Sequence, residues 1–417
     1  MGSAISNALS GLTANATAIN IVSNNLANLN TTGYKDEQVS FEDLVNQSLS
    51  GIASATSVNG STIAKGTQQF TQGSVQTTGN PYDAAIQGGG FFVLQDNQGQ
   101  TLYTRQGNFQ VNSAGDLVNS GGQYVQGWNA VNGDLNTSGA TGNIQLPNGL
   151  AQPPVATQNF TLSVNLASNA AVGSPAGTFS SPIQVVDSQG DTHILTVTYT
   201  ETAANNWSYQ VTIPQADIAA TASNIIGSGA LTFDQNGQLL TPAAANGAIP
   251  ISIPALNSTG APMTMNWNLY NSSGSPLLAQ DTTTNANLSD TQDGLQAGQL
   301  SNMAIGPNGA VVATFTNGQT ENVAQIALAS VLNPGSMQQF DGNSFVPTAA
   351  TAIPVIGVPS TGARGDVTGG ALESSTVDIA TEFTNLLTFE RGYQANSKVI
   401  TTEDQIVQQT IALIPGA

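Results

Sequence analysis

"SAISNALSGLTANATAINIVSNNLANLNTTGYK", residues 3–35, carries apolar side chains at Ile5, Leu9, Leu12, Ala16, Ile19 and Leu26, spaced by fours and threes. That spacing places them on one narrow seam of a single long helix, which Val22 and Leu29 widen and Ser3 is placed to cap. The opposite face holds Asn7, Asn15, Thr17, Asn20 and Asn24, uncharged groups suited to contact with protein rather than water. The helix is predicted to stop at "NLNTTGY". There Asn and Gly tolerate left-handed backbone, and the side chains of Asn28, Asn30, Thr31 and Thr32 reach the last carbonyls.

The other terminus is its counterpart. "SSTVD", residues 374–378, sets Ser375 three residues before Asp378 as a capping box. A second seam then runs through Ile379, Phe383, Leu386, Tyr393, Ile400, Val407, Ile411 and Ile414, until Pro415 and Gly416 end it. Spacing near 3.5 sustained over so long a helix predicts a coiled coil. Glu390, Ser397 and Asp404 interrupt the seam as register-setting residues do. Gly392, which costs roughly 1 kcal/mol relative to Ala in a helix interior, suits the close approach of a neighbour.

Between the helices the texture changes. Short β-rich runs are separated by a recurring Asx-x-x-Gly turn: "DNQG" at 96, "NSAG" at 112, "DSQG" at 187, "DQNG" at 234 and "NSSG" at 271. Each offers a side-chain acceptor at the first turn position and Gly at the fourth, the chemistry of a type I turn closing a hairpin. "FFVLQ" with "TLYTR", and "IQVVD" with "THILTVTYT", are predicted antiparallel pairs. "LPNGLAQPPVA" (146–156) and "DTTTNANLSD" (281–290) read as the two strands of a connection into an inserted domain.

The predicted architecture is multidomain, α plus all-β. Residues 1–35 and 366–417 form a terminal helical coiled-coil domain, and 36–70 an extended or partly helical connector. Residues 71–150 and 286–365 form a split antiparallel β domain, sandwich- or barrel-like, and 151–285 an inserted outer β domain.

Composition bounds the function. Six Lys+Arg stand against 25 Asp+Glu, so a net charge of −19 argues against nucleic acid or an anionic membrane as partner. No apolar run of 18 residues is present to cross a bilayer. Without Cys there is no disulfide, thiolate metal site or Cys nucleophile. The start, "MGSAISNALSGL", lacks the basic and apolar regions of a secretory signal, so export, if it occurs, is expected by another route.

Catalysis finds no support. His193, the single histidine, alternates within "DTHILTVTY" and has no second His or Cys with which to build a metal site or a nucleophile pair. "GGGFF" at 88 lacks the Lys-Ser/Thr of a phosphate loop and reads as a tight approach to a hairpin. "DQNGQ" at 234 lacks the downstream carboxylate of a calcium loop. Asp290/Asp293 and Glu403/Asp404 are expected on solvated faces. No cofactor, metal or enzymatic activity is expected.

The seams are expected to work in assembly. The termini pairing with each other in a lone chain is the plain alternative. A two-helix pair orders many residues for few large buried side chains, however, and is marginal by itself. The termini should therefore be loose in an isolated chain and become helical among other copies.

At this point the termini resemble a known family. "ALSGLTANATAINIVSNNLANLNTTGYK" and "FERGYQANSKVITTEDQIVQQTIAL" are similar to the N- and C-terminal signatures of the bacterial flagellar axial proteins, those of rod, hook and hook-associated structures. "GGGFFVLQ" with "YTRQGNFQVNSAGDLVNSGGQYVQGW" resembles their first β segment. By position, Asn25, Asn28, Thr32, Gly33 and Tyr34 belong to the N-terminal signature. Arg391, Gly392, Tyr393, Gln394, Ala395 and Asn396 belong to the C-terminal one. Length and the inserted domain favour, within that family, a subunit of the hook, with a distal rod subunit as alternative.

The resemblance implies a helical homopolymer, a curved flexible tube acting as a universal joint between rod and filament. It implies an extracellular place in the flagellum, reached through the type III export apparatus without a cleaved signal. Implied partners besides itself are the rod, the hook–filament junction proteins, the hook cap and the length-control ruler, with no nucleic acid and no membrane insertion. The polymerisation interface is expected at Ile5, Leu9, Leu12, Ile19, Leu26, Ile379, Phe383, Leu386, Tyr393, Ile400, Val407 and Ile411. A surface adhesin or fibre would share the polar β texture without needing paired helical termini.

Overall fold

The computed structural model describes residues 2–44, 61–131, 133–147 and 149–412. Chain contacts divide it into two compact units. Unit 1 comprises residues 1–148, 303–313 and 321–417, and unit 2 residues 149–302 and 314–320.

Unit 1 begins and ends in helices, α1 (Gly2–Ala27) and α2 (Ile379–Ala412). The N-cap of α2 is Asp378, whose Oδ1 accepts the Thr381 amide at 2.8 Å. Ser375 instead accepts the Val377 amide at 3.3 Å, so the expected capping box is displaced by three residues. Asp next to a helix N-terminus is favoured by the same dipole that draws its carboxyl below the usual range, chiefly through the Thr381 amide. Ile414, Pro415 and Gly416 lie outside the described residues.

The stretch read as a connector is in part a hairpin, strands β1 (Glu37–Leu44) and β2 (Ser61–Gln68), antiparallel with Phe41 opposite Ala64. Its inner face meets the helices: Val39 and Ala64 join Ala14, Ala18 and Phe389, and the Phe41 ring stands edge-on to Phe389 at 5.7 Å. Residues 45–60 lie outside the described set.

The rest of unit 1 is β. Strand β3 (Val75–Thr77) pairs with Ala371–Glu373, β4 (Ala84–Gln87) with Asp366–Gly369, and β5 (Phe91–Gln95) with β6 (Thr101–Thr104). Phe91, Tyr103, Trp128 and Phe345 fill its core. The pairings of β3 and β4 join segments almost 300 residues apart, which is what makes the domain discontinuous.

Unit 2 holds two five-stranded sheets. One is an antiparallel meander, Thr178–Val186, Thr192–Ala203, Asn206–Thr212, Ile225–Phe233 and Leu239–Thr241. In the other, Asn159–Ala167 pairs parallel with Met263–Asn268 and Leu278–Thr282, and antiparallel with Ala286–Gln292. Trp207, Trp267, Tyr199 and Phe160 are fully buried in one shared core. Unit 2 runs to Asn302 rather than stopping at 285, because Ala286–Gln292 is a strand of its sheet and not part of a connection. That strand is exposed along nearly its whole length, so no apolar alternation marks it.

All five quoted turns form. In each, the Asp or Asn side chain accepts the amides two and four residues on, as Asp96 does from Gln98 (2.9 Å) and Gln100 (2.7 Å). The Gly takes positive φ, +85° at Gly99. This is a type I turn followed by a left-handed bulge residue, which explains Gly at the fourth place.

Candidate assembly interface

The two terminal helices lie antiparallel, in a register marked by Gly11 against Asn396, Asn15 against Gly392 and Asn25 against Glu382. A Cβ at Gly11 would meet Asn396 Nδ2 at 2.7 Å, and one at Gly392 would meet Asn15 Oδ1 at 2.6 Å. Small residues let the backbones approach, and the asparagines fill the space that the glycines leave. Ala14 and Ala18, both buried, continue the same stripe against Phe389.

Asn25 closes the far end of the pair and is completely buried. Its Nδ2 donates to Glu37 O (2.9 Å) and Glu382 Oε1 (3.0 Å). Its Oδ1 accepts the Glu37 amide (3.0 Å) and the Tyr34 hydroxyl (3.2 Å). Every hydrogen-bonding position of the amide is thus used, tying α1, the plug behind it, β1 and α2 together. Burial, with Glu37 and Asp36 adding, pushes the Tyr34 hydroxyl up to about 12, and burial raises the Glu382 carboxyl.

The plug is a C-cap and more. Asn28 Nδ2 donates back to Asn24 O at 2.9 Å, and Thr32 O accepts Asn343 Nδ2 at 3.1 Å. Gly33, at φ +64°, donates its amide to Glu373 O at 2.7 Å. A Cβ there would lie 2.6 Å from the Arg105 carbonyl carbon, so only glycine fits.

Beneath the plug, Lys35 and Glu373 form a fully buried ion pair at 2.6 Å, with Arg105 on the other carboxylate oxygen at 3.4 Å. Glu373 Oε1 also accepts the Gly73 amide at 2.8 Å, and the guanidinium of Arg105 donates to Gly88 O at 2.8 Å and lies over the Phe91 ring. Burial holds both cations below their usual values, against the pull of Glu373. Sequence reading missed this cluster. Its signal was scarcity: two of only six cations are spent here.

Part of the predicted seam is left uncovered by the α1–α2 pairing. Leu9 and Phe383 are each 53% exposed and Ile379 47%, while Ile5 and Tyr393 are also exposed. Leu12, Ile19, Leu26, Leu386, Ile400 and Val407 are half-buried, and the side chain of Ile411 lies outside the described set. The joining stripe is offset by one residue, about 100° around the helix, from the apolar one. Of the C-terminal signature, Gly392 and Asn396 face α1, and Arg391, Tyr393, Gln394 and Ala395 are exposed.

His193 sits between two carboxylates, Nδ1 at 3.1 Å from Asp217 and Nε2 at 3.4 Å from Asp187, while Ser258 donates to Asp187 at 2.8 Å. Among the described residues no group of three or more His, Cys, Asp or Glu is arranged to hold a metal.

Known proteins match at these same segments. The family described as "Flagella basal body rod protein" matches residues 5–35, "Flagellar hook protein FlgE/F/G D1 domain" residues 85–165, and "Flagellar basal body rod FlgEFG protein C-terminal" residues 368–413. The flagellar hook protein FlgE of Escherichia coli (strain K12) is 33% identical over 426 residues, covering 98% of this chain and 100% of that one. That of Borreliella burgdorferi is 31% identical over 440 residues (97% and 98%), and that of Salmonella typhimurium 32% over 419 (98% and 99%). Relatives above 30% identity aligned from end to end, with matches on both helices and the first β segment, mean that the chain belongs to the flagellar hook protein family.

Proposed function

We propose that the exposed apolar stripes of α1 and α2 are the polymerisation surface through which this hook subunit builds its tube. The hook is the universal joint that carries torque from rod to filament, and its subunits polymerise with themselves. One observation carries the reading of the stripes: glycine and asparagine close the helix pair internally, while Ile5, Leu9, Ile379, Phe383 and Tyr393 remain uncovered. Burying such side chains is favourable by about 1.5–3 kcal/mol each, and a neighbouring copy supplies the cover.

Unit 2 carries no Lys or Arg at all. Two copies of it cannot lock together by salt bridges, and wet contacts between Ser, Thr, Asn and Gln rearrange cheaply as the joint bends. Rod, junction proteins, cap, ruler and export apparatus are the further partners of this reading, with the finished polymer outside the cell. A Cys-free chain suits passage in an unfolded state.

Electron microscopy of tubes assembled from the purified protein tests the proposal. Curved tubes are expected; straight rigid ones would favour a rod role, and absence of any polymer would refute it.

A further inference from the structure

Between the end of α1 and the start of α2 lies an open groove of about 500 Å³. Leu29, Leu372, Val377 and Ile379 are its apolar lining residues, and Gln76 and Ser375 are among its polar ones. Ile379 is also the first residue of the exposed α2 stripe, so groove and stripe are one continuous surface.

The opposite end of α1 presents the complement. Ile5 and Leu9 are exposed there, roughly 30 Å from the groove at 1.5 Å rise per residue. Charge decides what can enter. Two copies each carrying −19 repel, yet α1 contains no charged residue, and the only ionisable group lining the groove, Glu373, is buried against Lys35 and Arg105. The knob helix thus brings no charge of its own to the contact, and the one ionisable side chain lining the groove is already paired.

We propose that the groove receives the Ile5/Leu9 end of α1 from a second copy, head to tail. This rests on the polymerisation reading and names its axial contact. Because knob and groove sit at opposite ends of the same helix pair, the contact is heterologous. Each copy has one of each, so the contact can propagate from copy to copy, as a tube requires, instead of ending in a two-fold dimer.

The absence of Cys makes the test clean. Tubes of the double variant Leu9→Cys/Gln76→Cys, oxidised and run on denaturing gels, should give a ladder of covalent trimers and higher species. Leu9→Cys alone should stop at dimers at most. Tubes that form but yield no ladder beyond dimers would overturn the groove contact and leave the polymerisation reading standing; failure of the unaltered chain to form tubes would overturn both. As a second test, Gln76→Trp fills the groove and should raise the critical concentration for assembly at least tenfold at unchanged monomer helicity. An unchanged critical concentration would also overturn the contact.

Discussion

Gly392 faces Asn15 across the antiparallel helices so closely that a Cβ there would stand 2.6 Å from Asn15 Oδ1. Asn15 cannot swing aside freely, because its Nδ2 is held by Gly11 O at 2.7 Å. The helix pair is thus built on a fit between a missing side chain and a fixed amide.

Gly392→Ala should accordingly destabilise the pair. Better helix propensity favours Ala by about 1 kcal/mol, but overpacking costs about 1–3 kcal/mol, so a net loss of roughly 1 kcal/mol is expected. The double change Gly392→Ala/Asn15→Ala should recover it. Thermal melts of the four proteins in a double-mutant cycle measure the coupling; strict additivity would contradict the contact.

Asn25 makes four hydrogen bonds inside the protein, and no isostere replaces them. Asn25→Asp loses both donors and sets a charge against Glu382, an expected cost on the order of 3 kcal/mol in urea unfolding. Asn25→Ala should cost about 2 kcal/mol, and a loss below 0.5 kcal/mol for both would show the hub to be dispensable.

Glu373 is shared by two buried cations, Lys35 and Arg105. Glu373→Gln should destabilise unit 1 by about 3–5 kcal/mol, the cost of breaking a buried pair from one side. Urea unfolding followed by fluorescence of Trp128, which lies in unit 1, reads it.

In unit 2, burial raises the Glu201 carboxyl, and one of its oxygens has no partner. A carboxyl whose folded value exceeds its unfolded one binds protons preferentially in the folded state. Stability should therefore fall as pH rises from the ordinary carboxylate value through the raised one. Glu201→Gln should remove that slope and leave unit 2 more stable near neutrality than the unaltered protein. A parallel pH profile for both proteins would contradict the assignment.

Much of this was legible in the chain. Ile5 to Leu26 announced a helix by period, and Asp96 to Gly99 announced a turn by chemistry, because both signals are local. The seam that joins the helices was harder to see, since Gly11, Asn15, Gly392 and Asn396 carry no apolar periodicity and gain meaning only when 380 residues of separation are closed. Gly392 alone hinted at it. Strand Ala286–Gln292 escaped because it is exposed along nearly its whole length and carries only Ala286 and Leu288 as apolar residues, and Lys35, Arg105 and Glu373 because nothing in sequence distance brings them together. Of the apolar seam, Ile5, Leu9, Ile379, Phe383 and Tyr393 stand exposed instead of being covered by the partner helix.

Phe383, exposed in the single chain, is proposed to be covered by another copy in the tube. Phe383→Asp in the full chain, followed by sedimentation after assembly and by circular dichroism of the monomer, tests it most directly. The expected result is unchanged monomer helicity with no pelleted tubes; tubes pelleting as the unaltered protein's do would contradict the account.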